Sequence, residues 1–232
     1  MDSKQEVMKY FAKIYNLEDN VFDNEENVFL ESDTELFRMI TFGKAMIFLG
    51  RSDLTEWARN NFAETLSQDI IDAGNLYKIE CKLREHDLHL AGEHLRFLYR
   101  GNENITCPED VILKKIDSTD MNEFRLRYPG FFNAFNYEKD EIAIAAFVNG
   151  NIAAIAGADN YHEPLWQIGI DTVKEYRRKG LAKLVIQELT KVIIKLGKIP
   201  YYTTWSANLA SMKTALSVGF YPEWIEYFAE KE

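Results

Sequence analysis

The sequence predicts an α+β protein in two parts, a small α+β domain over residues 1–104 and a second domain over residues 105–232. Three observations predict this. From Val111 onward the apolar pattern alternates as strand, helix, two hairpin strands, strand, helix, strand, helix, strand. Asn149-Gly150 stands between two apolar runs, Glu141 to Val148 and Asn151 to Gly157, and both turn residues accept positive φ, which marks a tight hairpin. The stretch Gly101 to Asp110 is polar, with a glycine at its start and Pro108 near its end, and reads as the linker.

The composition admits one large core or two small ones, with 47% hydrophobic and 28% charged residues. A net charge of -10 argues against nonspecific nucleic-acid binding as a main role. The cysteines Cys81 and Cys107 are too few for a disulfide framework, so a reduced, cytoplasmic setting is expected. Met1 to Glu6 shows no cationic segment leading into an apolar core, and no apolar run is long enough for a bilayer, so neither signal peptide nor membrane partner is expected.

Taken in order, Ser3 can cap a helix carrying Val7, Met8, Phe11, Ile14 and Tyr15 at helical spacing. Asn27 to Glu31, Leu36 to Thr41 and Ala45 to Leu49 read as short strands, with a turn at Phe42-Gly43-Lys44. Leu54, Trp57, Ala58, Phe62 and Leu66 suggest a helix broken before Gln68, Tyr77 to Leu83 another helix, and Leu95 to Tyr99 a strand. His86, His89 and His94 match neither one helix face nor a zinc pattern, and no metal site is expected.

Past the linker, Val111 to Ile116 is a strand. Ser118 or Asp120 can cap the next helix, with Glu123 three after Asp120 as in a capping box. After the hairpin, Leu165 to Val173 is a strand that feeds a basic turn, Arg177-Arg178-Lys179-Gly180-Leu181-Ala182, and a helix running to Leu196. That helix sets Leu181, Leu184, Val185, Leu189, Val192, Ile193 and Leu196 on one face and Lys183, Gln187, Lys191 and Lys195 off it. Ile199 to Trp205 is a strand and Asn208 to Val218 a short helix closed by Gly219. Pro222 reads as a turn before a last strand, Trp224 to Phe228. A strand that delivers a cationic, glycine-bearing turn to a helix start is a place to hold phosphates, because unpaired N–H groups and the helix dipole both favour an anion there.

Arg177-x-x-Gly180-x-Ala182 between a strand and a long helix, followed by a strand, then Asn208-x-x-Ser211 and Gly219-Phe220, resembles the GNAT superfamily of acetyl-CoA-dependent N-acetyltransferases. It is similar in particular to a bacterial subgroup with an added N-terminal domain. The resemblance implies a mixed, mostly antiparallel sheet flanked by helices over residues 105–232, with residues 1–104 accessory. It implies acetyl-CoA as cofactor, wedged where the fourth and fifth strands splay apart. Ile170, Asp171, Thr172 and Val173 would then offer main-chain groups to the pantetheine arm. Arg177, Arg178, Lys179, Gly180, Leu181 and Ala182 would surround the pyrophosphate, with Gly180 keeping side-chain bulk away from it. Asn208 and Ser211 match positions that contact the pantetheine or adenylate portion, or else form a helix cap and a small packing residue.

The implied reaction is acetyl transfer to a small-molecule or peptide amine by direct attack on the thioester, in an enzyme that is often a homodimer. A backbone N–H of the fourth strand would donate to the oxyanion, and a base or water chain must take the amine's proton. The sequence departs from the family here. Ala215 replaces the usual tyrosine acid and Thr203 the usual glutamate base. Tyr201 shares a strand face with Thr203 and is the expected catalytic residue, with aromatic packing as its other reading. Tyr202, Ser206, Asp171, His162 and Glu163 are further candidates, and bulk water as the base is compatible. The missing groups leave a second reading open, a catalytically weak module that binds acyl-CoA as a sensor or partner-binding protein. The aromatic run Tyr128 to Phe135 has two readings, plain core packing or the lining of the acceptor pocket.

Overall fold

The computed structural model describes residues 3–18, 20–101, 105–135 and 140–231, with the side chains of residues 161 and 162 outside that set. Contacts divide the chain into two compact units. One is Met1–Arg96 with Trp205–Ala207 and Pro222–Glu232, and the other is Phe97–Thr204 with Asn208–Tyr221. The division by contacts falls at Arg96/Phe97, and the last strand belongs mostly to the first unit. A strand joins the edge and apolar face that fit it, whatever its place in the chain. Of the expected linker, residues 102–104 lie outside the described residues.

The first unit contains α1 (Ser3–Ile14), β1 (Val28–Glu31), β2 (Phe37–Thr41), β3 (Met46–Gly50), α2 (Ser52–Phe62), α3 (Ser67–Ile70), α4 (Ala73–Arg84) and most of β4 (Leu88–Tyr99). The second contains β5 (Val111–Asp117), α5 (Ser118–Arg127), β6 (Asp140–Val148), β7 (Asn151–His162), β8 (Leu165–Thr172), α6 (Leu181–Lys195), β9 (Ile199–Thr204) and α7 (Leu209–Ser217). The final strand, β10 (Phe220–Lys231), starts in the second unit and continues in the first.

In the first unit β3 pairs with β1 in parallel and with β2 antiparallel, and β2 pairs antiparallel with β10. Phe37, Met39, Phe48, Leu54, Phe62 and Ile79 form its core. Asp72 caps α4 by accepting from the Asn75 amide at 2.8 Å, which starts that helix at Ala73, ahead of the expected Tyr77. Pro222 lies inside β10, not in a turn. Its missing N–H costs nothing toward β2, because pairing with β2 begins at Ile225.

In the second unit β5, β6, β7 and β8 pair antiparallel in sequence, and β9 pairs with β8 in parallel. Each strand thus lies beside its neighbour in the chain, and the one parallel pair needs the α6 crossover. The hairpin turn has Asn149 at φ 51° and Gly150 at φ 79°, as the dipeptide predicts. Ile155 packs with Phe124 and Phe135 on one face, the alternate set Ala154, Ala156 and Ala158 is buried as well, and α6 packs on β6, β7 and β8. Strands buried on both faces read as continuous small and branched apolar runs, which is what residues 142–146 and 152–158 show. The N-cap of α5 is Asp117, without a side-chain cap bond, so the expected capping box from Asp120 and Glu123 does not form. Gln187, expected on the exposed face of α6, is buried, where its carbonyl accepts from the Ile105 amide at 2.8 Å.

The three histidines lie in the first unit. Among the described residues no group of His, Cys, Asp and Glu is placed to hold a metal. The His94 ring stacks on Phe228 at 4.8 Å and lies 5.2 Å from Trp205. Burial holds its pKa below the usual imidazole range, helped by Arg96 and Arg38 and opposed by Glu226 and Glu230. The unfolded chain then binds a proton that the folded one refuses, so this residue's share of stability is lost as pH falls below about 6.5 toward the folded pKa. We expect His94→Phe, which keeps a ring for Phe228, to flatten the decline of melting temperature as pH falls below about 6.5. An unchanged slope in that window would show that His94 is not the group responsible.

Candidate functional site

The pairing of β8 with β9 runs Leu165↔Ile199, Trp166↔Pro200, Gln167↔Tyr201 and Ile168↔Tyr202. Both strands then continue, β8 to Thr172 and β9 to Thr204. The other edge of β8 stays paired with β7 as far as Ala154↔Thr172. Gly169 to Thr172 therefore keep one edge in the sheet and turn the other toward a strand from which β8 has parted. An extended chain bearing amides can add to such an edge.

Beyond Thr172 comes a 3-10 turn, Lys174–Tyr176, and then the basic turn. The Arg177 Nε donates to the Thr172 carbonyl at 3.3 Å, and the Lys179 ammonium sits 5.1 Å over the Tyr176 ring. Arg178 has φ 62° and Gly180 φ 80°, so the backbone coils through two left-handed residues before α6 begins. Leu181 is buried and anchors the helix start. Arg177, Arg178, Lys179 and Gly180 are exposed, no side chain caps the helix, and its first turn holds no acid. An open helix N-terminus with three cations beside it favours an anion over a cation. A Cβ added to Gly180 would meet nothing within 4 Å, so the glycine is required here by the positive φ rather than by crowding inside the protein.

Asn208 is the N-cap of α7, its side-chain Oδ1 accepting from the Ser211 amide at 3.2 Å. The Ser211 hydroxyl lies 2.8 Å from the Tyr202 hydroxyl. Both residues of this pair thus have a local structural use. The Tyr202 phenol is pushed up by burial, partly offset by the Ser211 hydrogen bond.

The side chain of Asp171 has a use that its strand position does not suggest. Its carboxylate accepts from the Asn133 amide at 2.8 Å, the Asn133 side-chain amide at 2.6 Å and the Ala134 amide at 2.9 Å. It clamps the segment after α5 onto the sheet. Gly157 and Gly169, directly paired across β7 and β8, make room for that segment. A Cβ on Gly157 would stand 1.8 Å from the Ala134 carbonyl oxygen, and one on Gly169 1.8 Å from that of Asn133. The two glycines are needed for close approach of backbone, a demand that neither residue's neighbours in sequence reveal.

Beside this crossing lies a cavity of 290 Å³ lined by Phe132 to Phe135, Asp140, Gly157, Asp159, Gln167 and Gly169. The later half of the aromatic run therefore lines it. Tyr201, the expected catalytic residue, is 3% exposed and donates its hydroxyl to the Gln167 side-chain carbonyl at 2.8 Å. It reaches the cavity through Gln167. Of the other candidates, Glu163 is bound to Lys198 and accepts from the Trp166 indole at 2.8 Å, and the Lys198 hydrogen bond holds its carboxyl below the usual range. Ser206 belongs to the first unit, and the side chain of His162 lies outside the described residues. Ala215 is fully buried.

A family model described as GNAT acetyltransferase matches residues 90–227. This chain belongs to the GNAT acetyltransferase family. Similar solved structures are found at low identity. A GNAT-family protein from Novosphingobium aromaticivorans is 20% identical over 62% of this chain and 66% of its own, with a TM-score of 0.46. A GCN5-related N-acetyltransferase-like protein from Streptococcus suis is 16% identical over 68% and 69%, with a TM-score of 0.49. A Drosophila protein is 10% identical over 70% and 59%, with a TM-score of 0.50. The matched part thus spans just under two thirds of the Novosphingobium chain. No curated protein matches the sequence. Among the described residues no helix is long and apolar enough to cross a membrane.

Asp159 and Gln167 are among the residues lining this cavity that sequence reasoning misses. Asp159 is hidden at the end of an apolar run, and Gln167 in a strand legible only from its apolar spacing. No motif marks either, and only strand register brings them to the cavity.

Proposed function

We propose that this GNAT chain transfers the acetyl group of acetyl-CoA to an amine. The observation that carries the proposal is the parting of β8 from β9 after Ile168↔Tyr202, beside the uncapped, cationic start of α6. The residues present fit coenzyme A. The edge of β8 beyond Ile168↔Tyr202, at Ile170 to Thr172, suits the amides of a pantetheine arm, while the expected Val173 amide is taken by the Ala153 carbonyl at 3.0 Å. The main chain from Arg178 to Ala182 suits a diphosphate, with Arg177, Arg178 and Lys179 offsetting its charge in an otherwise acidic protein. Asn208 and Ser211 border the same wedge in the proposal, their local hydrogen bonds fixing the start of α7. When bound, acetyl-CoA supplies a thioester whose acyl carbon is open to a neutral amine.

The protein's own part is to hold that thioester and orient the amine. The cavity under Phe132 to Phe135 is the acceptor site in this reading. Tyr201 acts there as a polar group held by Gln167, and bulk water can accept the amine's proton. Residues 1–104 are accessory to this function. A reduced, cytoplasmic setting and a small-molecule or peptide amine as partner belong to the same proposal.

The burial of Tyr201 and Ala215 favours a second reading, an acyl-CoA-binding module with little turnover. Thiol release separates the two. Acetyl-CoA should raise the melting temperature, and free thiol should appear when a panel of small amines, amino acids, aminoglycosides, polyamines and peptides is added. Stabilisation without thiol release across the panel would select the binding module. No stabilisation by acetyl-CoA or coenzyme A would end both readings.

A further inference from the structure

One residue of β8 stands where the wedge and the cavity meet. Among the described residues, β8 beyond Ile168↔Tyr202 is paired along one edge, with β7. The Val173 amide donates to the Ala153 carbonyl at 3.0 Å, on the β7 side. In that same peptide unit the Thr172 carbonyl points the opposite way, where it accepts from the Arg177 Nε at 3.3 Å. Backbone groups alternate in direction along a strand. The main-chain groups of Gly169 and Asp171 therefore face β7, and those of Ile170 and Thr172 face the wedge. Asp171 lies between the two residues whose main chain borders the wedge.

Its side chain works on the face of the sheet instead. The carboxylate accepts from the Asn133 amide at 2.8 Å, the Asn133 side-chain amide at 2.6 Å and the Ala134 amide at 2.9 Å. The carbonyls of the same two residues rest over Gly169 and Gly157, so this segment is seated on β7 and β8 by its donors and its acceptors alike. Phe132 to Phe135 are also a wall of the 290 Å³ cavity. A strand end held along one edge opens locally more readily than one held along two. Such an opening at Asp171 takes the acceptor away from two main-chain N–H groups of the cavity wall, which is costly. Bonds made from the wedge to Ile170 and Thr172 thus act on Asn133 and Ala134. We propose that Asp171 is a positioning residue, which sets the wall of the acceptor cavity in register with the arm that pairs to β8 in the wedge. This rests on the acetyltransferase reading above, and it names the group that fixes where an acceptor stands relative to the thioester.

The test is amide hydrogen exchange at Asn133 and Ala134 in the full chain, free and saturated with coenzyme A, after binding itself has been measured by calorimetry. Amides of a surface segment exchange through local opening, and a ligand slows that exchange only where the opening and the ligand exclude each other. A clamp with a merely structural role would leave both rates unmoved by the ligand. We expect coenzyme A to slow both amides at least about tenfold. Asp171→Ala removes the acceptor and should bring the slowing below about twofold, at coenzyme A concentrations that saturate the variant. Asp171→Asn should retain the slowing, because one side-chain oxygen still accepts from both main-chain amides and the Asn133 side chain can turn its own oxygen to the new amide. Equal rates in the free and loaded unaltered protein, or slowing undiminished in Asp171→Ala, would overturn the assignment. The first comparison needs no variant and stands even if Asp171→Ala fails to fold. Absence of coenzyme A binding would overturn the acetyltransferase reading and this assignment with it, whereas binding with unmoved exchange overturns only the role of Asp171.

Discussion

Gly180→Glu should weaken coenzyme A binding by a factor on the order of 100 while the protein stays folded. The turn is exposed, nothing stands within 4 Å of a Cβ at this position, and so no packing is lost. The stability cost comes from forcing a side chain into φ 80°, about 1–2 kcal/mol. The binding cost comes from charge. A carboxylate about 5 Å from a diphosphate oxygen, at an effective dielectric of about 20, costs roughly 3 kcal/mol. That energy corresponds to the hundredfold change in Kd. Gly180→Ala provides the control, because it carries the same backbone strain without the charge and should lose far less affinity. Calorimetric titration with coenzyme A, alongside a thermal melt of each variant, makes the comparison. An unaltered Kd in Gly180→Glu would place the diphosphate elsewhere.

Gly169→Ala should destabilise the protein by about 3 kcal/mol or more, at the upper end of what overpacking costs. The added methyl would stand 1.8 Å from the Asn133 carbonyl oxygen and 3.2 Å from the Ala134 Cα. Backbone cannot rotate away as a flexible side chain does. The Asn133 and Ala134 amides are also held by Asp171, so relief requires breaking charge-assisted hydrogen bonds. Gly157→Ala meets the Ala134 carbonyl at the same distance and should behave alike. The two substitutions combined should cost less than their sum, since either one already lifts the same segment. Urea unfolding of the single and double variants reads all three values. A midpoint unchanged by Gly169→Ala would show that residues 133–134 do not lie on the sheet as described.

Much of the second unit can be read locally. Asn149-Gly150 specifies its turn because both residues tolerate positive φ without help from elsewhere. The α6 start is readable for a similar reason, since a glycine before an apolar 3.6-residue pattern signals a helix end and its exposed amides. Harder cases share one property, a partner distant in sequence. Gln187 has the spacing of a solvent-facing residue and is buried because the Ile105 amide needs an acceptor. Asp171 resembles an acid at a strand end and is the clamp for Asn133 and Ala134. Pro222 is a turn former by itself, yet β10 absorbs it ahead of its ladder with β2.

By itself, then, the sequence determined the order of strands and helices, the hairpin, the cationic helix start and the family that these imply. Each depends on dihedral preference or periodicity within a dozen residues or so. Only the tertiary structure decided where β8 leaves β9, which unit the last strand joins, and that Asp140, Asp159, Gln167 and Tyr201 form one row. Register has a period of two, and a slip of one residue would turn every member of that row to the opposite face. What holds it is the burial of both faces of the sheet at once, a sum over the whole unit that no single stretch of the chain contains.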